Sequence, residues 1–141
     1  MTEIKLSTEG IRYIALFESA TGAGIKDCIV EDDRIIYVVK TGEMGAAIGK
    51  NGDHINRVKK SVGKHVELVE YSDDPEKFIN NVIGSASVKS VNLVSKQDKR
   101  LAYVEVSDND KGLAIGREGK NIEKVKVLMQ RHHDIDDVII Q

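Results

Sequence analysis

Residues 45–59 read GAAIGKNGDHINRVK, and residues 112–126 read GLAIGREGKNIEKVK. Eight of the fifteen aligned positions are identical, at an offset of 67 residues in a chain of 141. Identity at a fixed offset of this size indicates an internal repeat. The shared frame is G-x-x-I-G-x-x-G-x-x-I, with an amphipathic, basic segment following each time. The sequence therefore predicts two copies of one small domain.

The segments around the two glycine frames correspond as well. β-branched, apolar runs predict strands, and short polar stretches between them predict tight turns. The predicted order in each copy is helix, strand, strand, helix, glycine turn, helix, strand. The predicted segments are a helix at 8–21, strands at 25–32, 34–40 and 64–71, a helix from Pro75, and strands at 87–96, 101–107 and 137–141.

Apolar side chains predict which helix faces are buried. One set lies on or near one side of the first helix, and the other set flanks the glycine turns and is expected to anchor the adjoining helices. The set on the first helix is Ile11, Ile14, Ala15 and Phe17. The set that flanks the glycine turns is Ile48, Ile55, Ile115 and Ile122. In the second copy Asp74 is expected to cap the opening helix, and Pro75 suits its first position. The apolar stripe of that helix is expected to consist of Phe78, Ile79, Val82 and Ile83.

Three interpretations of the glycine turn are open from the residues alone. A nucleotide phosphate loop would need G-x-x-x-x-G-K-[ST], but Gly45 and Gly49 are one residue too close and Asn51 follows the lysine; a G-x-G-x-x-G fingerprint is also absent. In the second interpretation the glycines have only a structural role, because they allow a short helix to pack closely on a sheet. In the third interpretation, the turn lets a nucleic-acid backbone approach the main chain.

The stretches IGKNGDHI and IGREGKNI resemble the I-G-x-x-G-x-x-I signature of KH domains. The helix-strand-strand-helix-helix-strand order is similar to the type II arrangement, and the tandem pair resembles the archaeal NusA-like transcription termination factors. The resemblance implies an α+β chain of two tandem type II KH domains, 1–72 and 73–141, each a three-stranded sheet covered by helices on one face. It also implies a groove beside each turn that holds about four nucleotides of single-stranded RNA.

The physical chemistry of the turn agrees with an anion site. Glycines leave the main chain open to phosphate, and free amides at the start of the following helix favour an anion. Lys50 and Arg117 add positive charge at corresponding places. The candidate RNA-binding residues are Ile48, Gly49, Lys50, Asn51 and Gly52 in the first copy, and Ile115, Gly116, Arg117, Glu118, Gly119 and Lys120 in the second.

Charge is distributed locally rather than over the whole molecule. The net charge is −2, so any nucleic-acid surface must be local. The range 50–64 carries five basic residues and one acid, and 111–131 carries six basic residues and two acids. Single lysines far from the turns can also be ordinary solvated charges. Glu118 lies inside the second turn, where a carboxylate repels phosphate, so the second site is predicted to be the weaker one.

The sequence offers no chemistry for an enzyme. It contains no nucleophile elbow or H-E-x-x-H motif, and we predict no catalytic residue, cofactor or metal site. Adjacent His132 and His133 are expected at an exposed helix end. Cys28, the single cysteine, is expected to be a buried small hydrophobe, and Tyr37 and Tyr103 are expected in the core rather than stacked on bases.

Three functional classes remain. The first is a single-stranded RNA-binding factor in transcription termination or antitermination, with RNA polymerase or other transcription factors as protein partners. The second is an RNA-binding module in ribosome assembly or other RNA metabolism, and the third is a KH scaffold that mainly contacts protein. No apolar run is long enough to cross a membrane and the N-terminus lacks a signal-peptide core, so a cytoplasmic protein is expected.

Overall fold

The computed structural model describes residues 7–141, which divide into two compact units, 7–72 and 73–141. The predicted first domain also includes residues 1–6, which lie outside the described residues. Both units have the predicted order of elements. The first comprises α1 (Thr8–Thr21), β1 (Ile25–Val30), β2 (Arg34–Val39), α2 (Met44–Ile48), α3 (Asp53–Val62) and β3 (His65–Glu70). The second comprises α4 (Pro75–Ile83), β4 (Val88–Lys96), β5 (Lys99–Val106), α5 (Lys111–Ile115), α6 (Lys120–His133) and β6 (Asp137–Ile140).

Each unit contains one three-stranded sheet, and the two sheets share one topology. The strand orders are β1-β2-β3 and β4-β5-β6. The first pair in each sheet is antiparallel and the second is parallel. The parallel pairing follows from the two helices that return the chain between β2 and β3, and between β5 and β6, to the same end of the sheet. The predicted α+β architecture of tandem three-stranded sheets with helices is confirmed.

The helix ends follow local sequence signals. Ser7 caps α1 by accepting a hydrogen bond from the Gly10 amide at 2.9 Å, and Gly22 ends the helix in the left-handed region with φ +77°. Asp74 accepts a hydrogen bond from the Glu76 amide at 3.1 Å, with Pro75 as the first residue of α4. The predicted cap and the predicted limits of the first helix are confirmed.

The predicted buried face of α1 is only partly correct. Phe17 is fully buried and Ile14 is half-buried, whereas Ala15 is exposed and Ile11 is 54% exposed. The helix packs on β1 and α3, so the side turned inward is the one that carries Phe17 and, half-buried, Tyr13 and Ile14. A pattern with apolar residues at several angles around one helix does not decide which of them faces the sheet.

The first core is built where α1, α2 and α3 cover the sheet. The rings of Phe17 and Tyr37 pack at an angle of 49° with their centroids 4.4 Å apart, and the Tyr37 hydroxyl donates to the Tyr13 carbonyl at 3.0 Å. Cys28 is buried in the same cluster, as predicted. Tyr37 also lies in the core as predicted, whereas Tyr103 of the second unit is only half-buried.

The second core is built around α4, the helix that opens the second unit. The predicted stripe of α4 is confirmed, because Phe78, Ile79, Val82 and Ile83 are all buried. His132 and His133 do not form the expected exposed helix end: both rings pack on Phe78, with centroids 5.5 and 5.4 Å away. Aromatic contact therefore holds the end of α6 against α4.

The β4–β5 hairpin is longer and tighter than predicted. Lys99 and Arg100, expected between the strands, are paired strand residues, and only Gln97 and Asp98 form the turn, with φ +51° and +66°. Two consecutive left-handed residues give the turn whose twist matches paired strands. The usual Asn-Gly signal is absent here, so the sequence predicts a longer loop than the chain forms.

Candidate nucleic-acid interface

The two glycine turns have nearly the same backbone. Gly49 has φ +76° and ψ 172°, and Gly116 has φ +81° and ψ 170°. The second glycines, Gly52 and Gly119, both have φ +74°, with ψ 17° and 12°. Each turn continues at once into a longer helix, α3 or α6. The repeat in the sequence therefore corresponds to a repeat in three-dimensional geometry.

Both the backbone angles and the lack of space for a Cβ require glycine at the first glycine position of each turn. Its φ and ψ values lie in a region that only glycine occupies without strain. In addition, a Cβ on Gly49 would lie 2.6 Å from Cγ of His54, and a Cβ on Gly116 would lie 2.8 Å from the backbone nitrogen of Asn121. Gly52 and Gly119 have room for a Cβ, so their requirement comes from φ alone.

Each turn bonds part of its own backbone before the long helix begins. The amides of Gly52 and Gly119 donate to the carbonyls of Gly49 and Gly116, both at 3.1 Å. The amides of Asp53 and Lys120 donate to the carbonyls of Lys50 and Arg117, so only later amides of the first helical turn remain for an anion. No described side chain caps α3 or α6, since the capping positions are Gly52 and Gly119 themselves. Amides in the first turn of a helix lack partners within that helix, and the dipole there favours negative charge.

Side chains at the turns are exposed and differ between the copies. Lys50 and Asn51 are exposed in the first turn, as are Arg117 and Glu118 in the second. Asn51 and Glu118 both have left-handed φ values, +57° and +56°. Asparagine tolerates that conformation better than glutamate does. The first turn therefore presents one positive charge, whereas the second presents a guanidinium next to a carboxylate.

The isoleucine at the end of each short helix does not anchor that helix, contrary to prediction. Ile48 is 40% exposed and Ile115 is 43% exposed. The core positions are instead Ala47 and Ala114, both fully buried. A helix of five residues makes little more than one turn, so one small residue faces the sheet and the next residue points outward. The exposed isoleucines lie beside the glycine turns and add apolar surface there.

The structure also shows two residues that the sequence did not single out. The Nδ1 atom of His54 lies 2.7 Å from the Ala46 carbonyl oxygen. At the corresponding position Asn121 donates from Nδ2 to the carbonyls of Ala114 at 2.9 Å and Ile83 at 3.2 Å. Each side chain joins the start of the long helix to the short helix before it. The repeat alignment puts them at one position, but histidine and asparagine share no obvious pattern.

Two ion-paired arginines of the first unit differ in their burial. Burial lowers the pKa of Arg34, but hydrogen bonds and charge from Glu31 and Glu67 raise it more, so the net shift is upward. Arg57 pairs with Asp53 at 3.1 Å on the surface of α3. Within residues 7–141 no group of His, Cys, Asp and Glu is placed to hold a metal ion, and no helix there has the length and apolarity to span a bilayer.

Comparison with known families matches each unit separately. Residues 11–73 match the KH domain family model, and residues 75–140 match the model of the NusA-like second KH domain. Together these matches cover both glycine turns.

Relatives match along nearly the whole chain. The probable transcription termination protein NusA of Halobacterium salinarum is 47% identical over 135 residues, which is 96% of each chain. The protein of the same name from Methanocaldococcus jannaschii is 33% identical over 98% of this chain and 75% of its own. The crystal structure of APE1850 superimposes with a TM-score of 0.85 at 34% identity, and covers 96% of this chain and all of that one.

Proposed function

The chain belongs to the NusA-like family of tandem KH-domain proteins, and on that premise we propose that it binds single-stranded RNA through its two glycine turns and acts in transcription termination or antitermination. This is a family of RNA-binding factors and not of enzymes. The two RNA-binding domains are taken as residues 1–72 and 73–141. A role in transcription implies the cytoplasm as the compartment for this proposal.

The observation that carries the proposal is the repeated turn at the start of an uncapped helix. Gly49 and Gly52 bring the main chain to the surface, and the amides that follow Asp53 in the first turn of α3 are the donors for a phosphate. Lys50 adds an exposed positive charge beside those donors. Phosphate contacts of this kind fix the position of the strand and carry no sequence information.

The remaining candidate residues take roles that follow from their exposure. Ile48 and Ile115 supply apolar surface on which a base can rest beside the turn. In the second copy Gly116 and Gly119 repeat the backbone, while Arg117 and the half-buried Lys120 offset the carboxylate of Glu118. The second turn therefore has the weaker attraction for phosphate.

The first experiment replaces Lys50 and Asn51 together by Asp. Two carboxylates would then face the phosphate, so affinity for single-stranded RNA should fall at least tenfold, or about 1.4 kcal/mol. Both side chains are exposed, so the circular dichroism spectrum should not change. The matched control is Lys60→Asp with Ser61→Asp, which makes the same charge change about 10 Å further along α3. Equal loss of affinity in both variants would show that overall charge, and not the turn, governs binding.

The second experiment tests the process. Transcription by the polymerase of the same organism should terminate at different positions or efficiencies when the protein is added, because the relatives are named as probable transcription termination proteins. The Lys50/Asn51 variant should lose that effect. A protein that binds RNA but leaves termination unchanged would instead belong to ribosome assembly or another part of RNA metabolism.

A further inference from the structure

The hairpin that joins the first two strands carries opposite charge in the two units. In the first unit its turn region, 31–34, has three acidic residues and one basic residue. In the second unit the corresponding region, 96–100, has three basic residues, Lys96, Lys99 and Arg100, and one acidic residue, Asp98. All four of these side chains are exposed. The second unit therefore keeps the hairpin and reverses the sign of the charge at its tip.

The basic tip also extends further than its acidic counterpart. The β1–β2 ladder ends at Val30, which corresponds to Leu93 through the aligned partners on β2 and β5. Beyond Leu93 the β4–β5 ladder continues for three more pairs and ends at Lys96–Lys99. A strand rises about 3.4 Å per residue, so the second hairpin is longer by about 10 Å.

The last pair of the ladder consists of two like charges. Lys96 and Lys99 lie directly opposite each other before the turn. Like charges in that arrangement repel and destabilise the strand pair. Within residues 7–141 neither ammonium group forms an ion pair with a carboxylate. An anion bound by both lysines would remove the repulsion, so the tip is suited to a phosphate.

Hydrogen bonds hold the base of this tip against the loop that follows α6. The Arg100 amide donates to the Asp136 carboxylate at 2.8 Å, and the Asp136 amide donates to the Arg100 carbonyl at 2.7 Å. Nη1 of Arg100 also donates to the His133 carbonyl at 2.9 Å. His133 is the last residue of α6, and Lys120, the first, follows the second glycine turn. The glycine turn and the basic tip therefore lie at opposite ends of α6, about 21 Å apart along its axis.

We propose that the tip of the β4–β5 hairpin is a second phosphate-binding surface of the second unit, where Lys96 and Lys99 hold the backbone of an RNA strand that runs along α6 from the glycine turn. This inference rests on the proposed RNA-binding function. Charge favours RNA as the occupant, because the positive tip is fixed to the helix whose other end faces a phosphate. An RNA of four or five nucleotides fills only the groove at the turn, and a longer strand reaches the tip. Contacts to phosphate add affinity without sequence preference.

The test compares RNA pools of random sequence, of about five and about twelve nucleotides, in NMR titrations of the full chain. Amide signals of 116–123 report binding at the second turn. Lys96→Gln with Lys99→Gln removes both charges. Each phosphate contact on a single strand contributes about 0.7 to the slope of log affinity against log salt, so the variant's slope with the longer pool should be smaller by about 1.4. Between about 50 and about 200 mM salt, the parent's advantage over the variant should therefore shrink about sevenfold. With the shorter pool, parent and variant should show the same affinity and slope.

The matched control is Lys77→Gln with Lys89→Gln, which removes the same charge from α4 and from the other end of β4. Both lysines are exposed, and this variant should keep the parent's slope with both pools. Because two like charges no longer face each other, the Lys96/Lys99 variant should resist urea at least as well as the parent. Weaker binding by that variant then reports a lost contact and not a lost fold.

The inference is overturned if the Lys96/Lys99 variant binds the longer pool at the second turn with the parent's affinity and slope, or if the control variant loses as much. It is also overturned if a poly-glutamate peptide moves the amide signals of 95–100 and the longer RNA does not, since the tip would then bind an acidic protein segment. Failure of both RNA pools to move the signals of 116–123 in the parent would contradict instead the proposed function of the second turn.

Discussion

Replacing Gly49 by Ala should destabilise the first unit much more than the same change at other glycines with positive φ. Gly49 combines φ +76° with ψ 172°, a conformation that costs a residue with a Cβ on the order of 1–3 kcal/mol. The added methyl would also lie 2.6 Å from Cγ and 2.9 Å from the backbone nitrogen of His54. Forcing such an overlap typically costs about 1–3 kcal/mol more. We therefore expect a loss of about 2–6 kcal/mol, since the backbone atoms in contact cannot move freely.

The matched controls are Gly52→Ala and Gly63→Ala. Both positions have φ near +74° and ordinary or open space where the added methyl group would lie, so each should lose only the left-handed cost of about 1–2 kcal/mol. Urea unfolding followed by tyrosine fluorescence measures the difference, because three of the four tyrosines, Tyr13, Tyr37 and Tyr71, lie in the first unit. Equal destabilisation by Gly49→Ala and Gly63→Ala would refute the argument that the His54 contact matters.

Three other outcomes are expected. The logarithm of RNA affinity should fall with the logarithm of salt concentration with a slope of about −2 to −3.5, for roughly 3 to 5 phosphate contacts on a single strand, and a slope steeper than about −6 would indicate a large basic surface. Burial raises the pKa of Tyr37, so the neutral phenol stabilises the folded state fully at pH values below the unfolded pKa of about 10. The free energy of unfolding should decline as the pH rises above that value, and Tyr37→Phe should abolish this decline in urea titrations. Ala47→Leu should cost about 1–3 kcal/mol by overpacking a fully buried site, whereas exposed Ala46→Leu, which copies Leu113, should change stability by less than about 0.5 kcal/mol.

The elements of the fold were predictable because their signals are local or repeated. The Asp74 cap, Pro75 and the glycine after α1 each act within a few residues of the chain. The offset of 67 residues allowed every assignment in one copy to be checked in the other. All predicted strand limits agree with the observed ones to within two residues, and the two-residue difference at the start of β5 comes from the shorter β4–β5 turn.

The errors concern choices that packing makes. Ile48 and Ala47 are neighbours on a helix of five residues, and only the position of the sheet decides that alanine faces it. Hydrophobicity alone therefore favours the larger side chain for a core position that only a small one fits. The role of His54 was not predictable either, because its hydrogen bond reaches back eight residues to a carbonyl that the sequence does not mark.

Glu118 provides the last test, because it combines strain with unfavourable charge. Its φ of +56° is left-handed, and the equivalent Asn51 is of a type that accepts this conformation. Glu118→Asn should therefore stabilise the second unit by about 0.5–1 kcal/mol and strengthen RNA binding at the second turn severalfold by removing a carboxylate beside Arg117. Asn51→Glu should do the reverse in the first unit. The contact between Gly116 and Asn121 does not involve residue 118, so we expect the second turn to keep its backbone in the Glu118→Asn variant. An RNA affinity at the second turn that falls in Glu118→Asn would mean that the carboxylate contacts the RNA favourably, by accepting hydrogen bonds from a base.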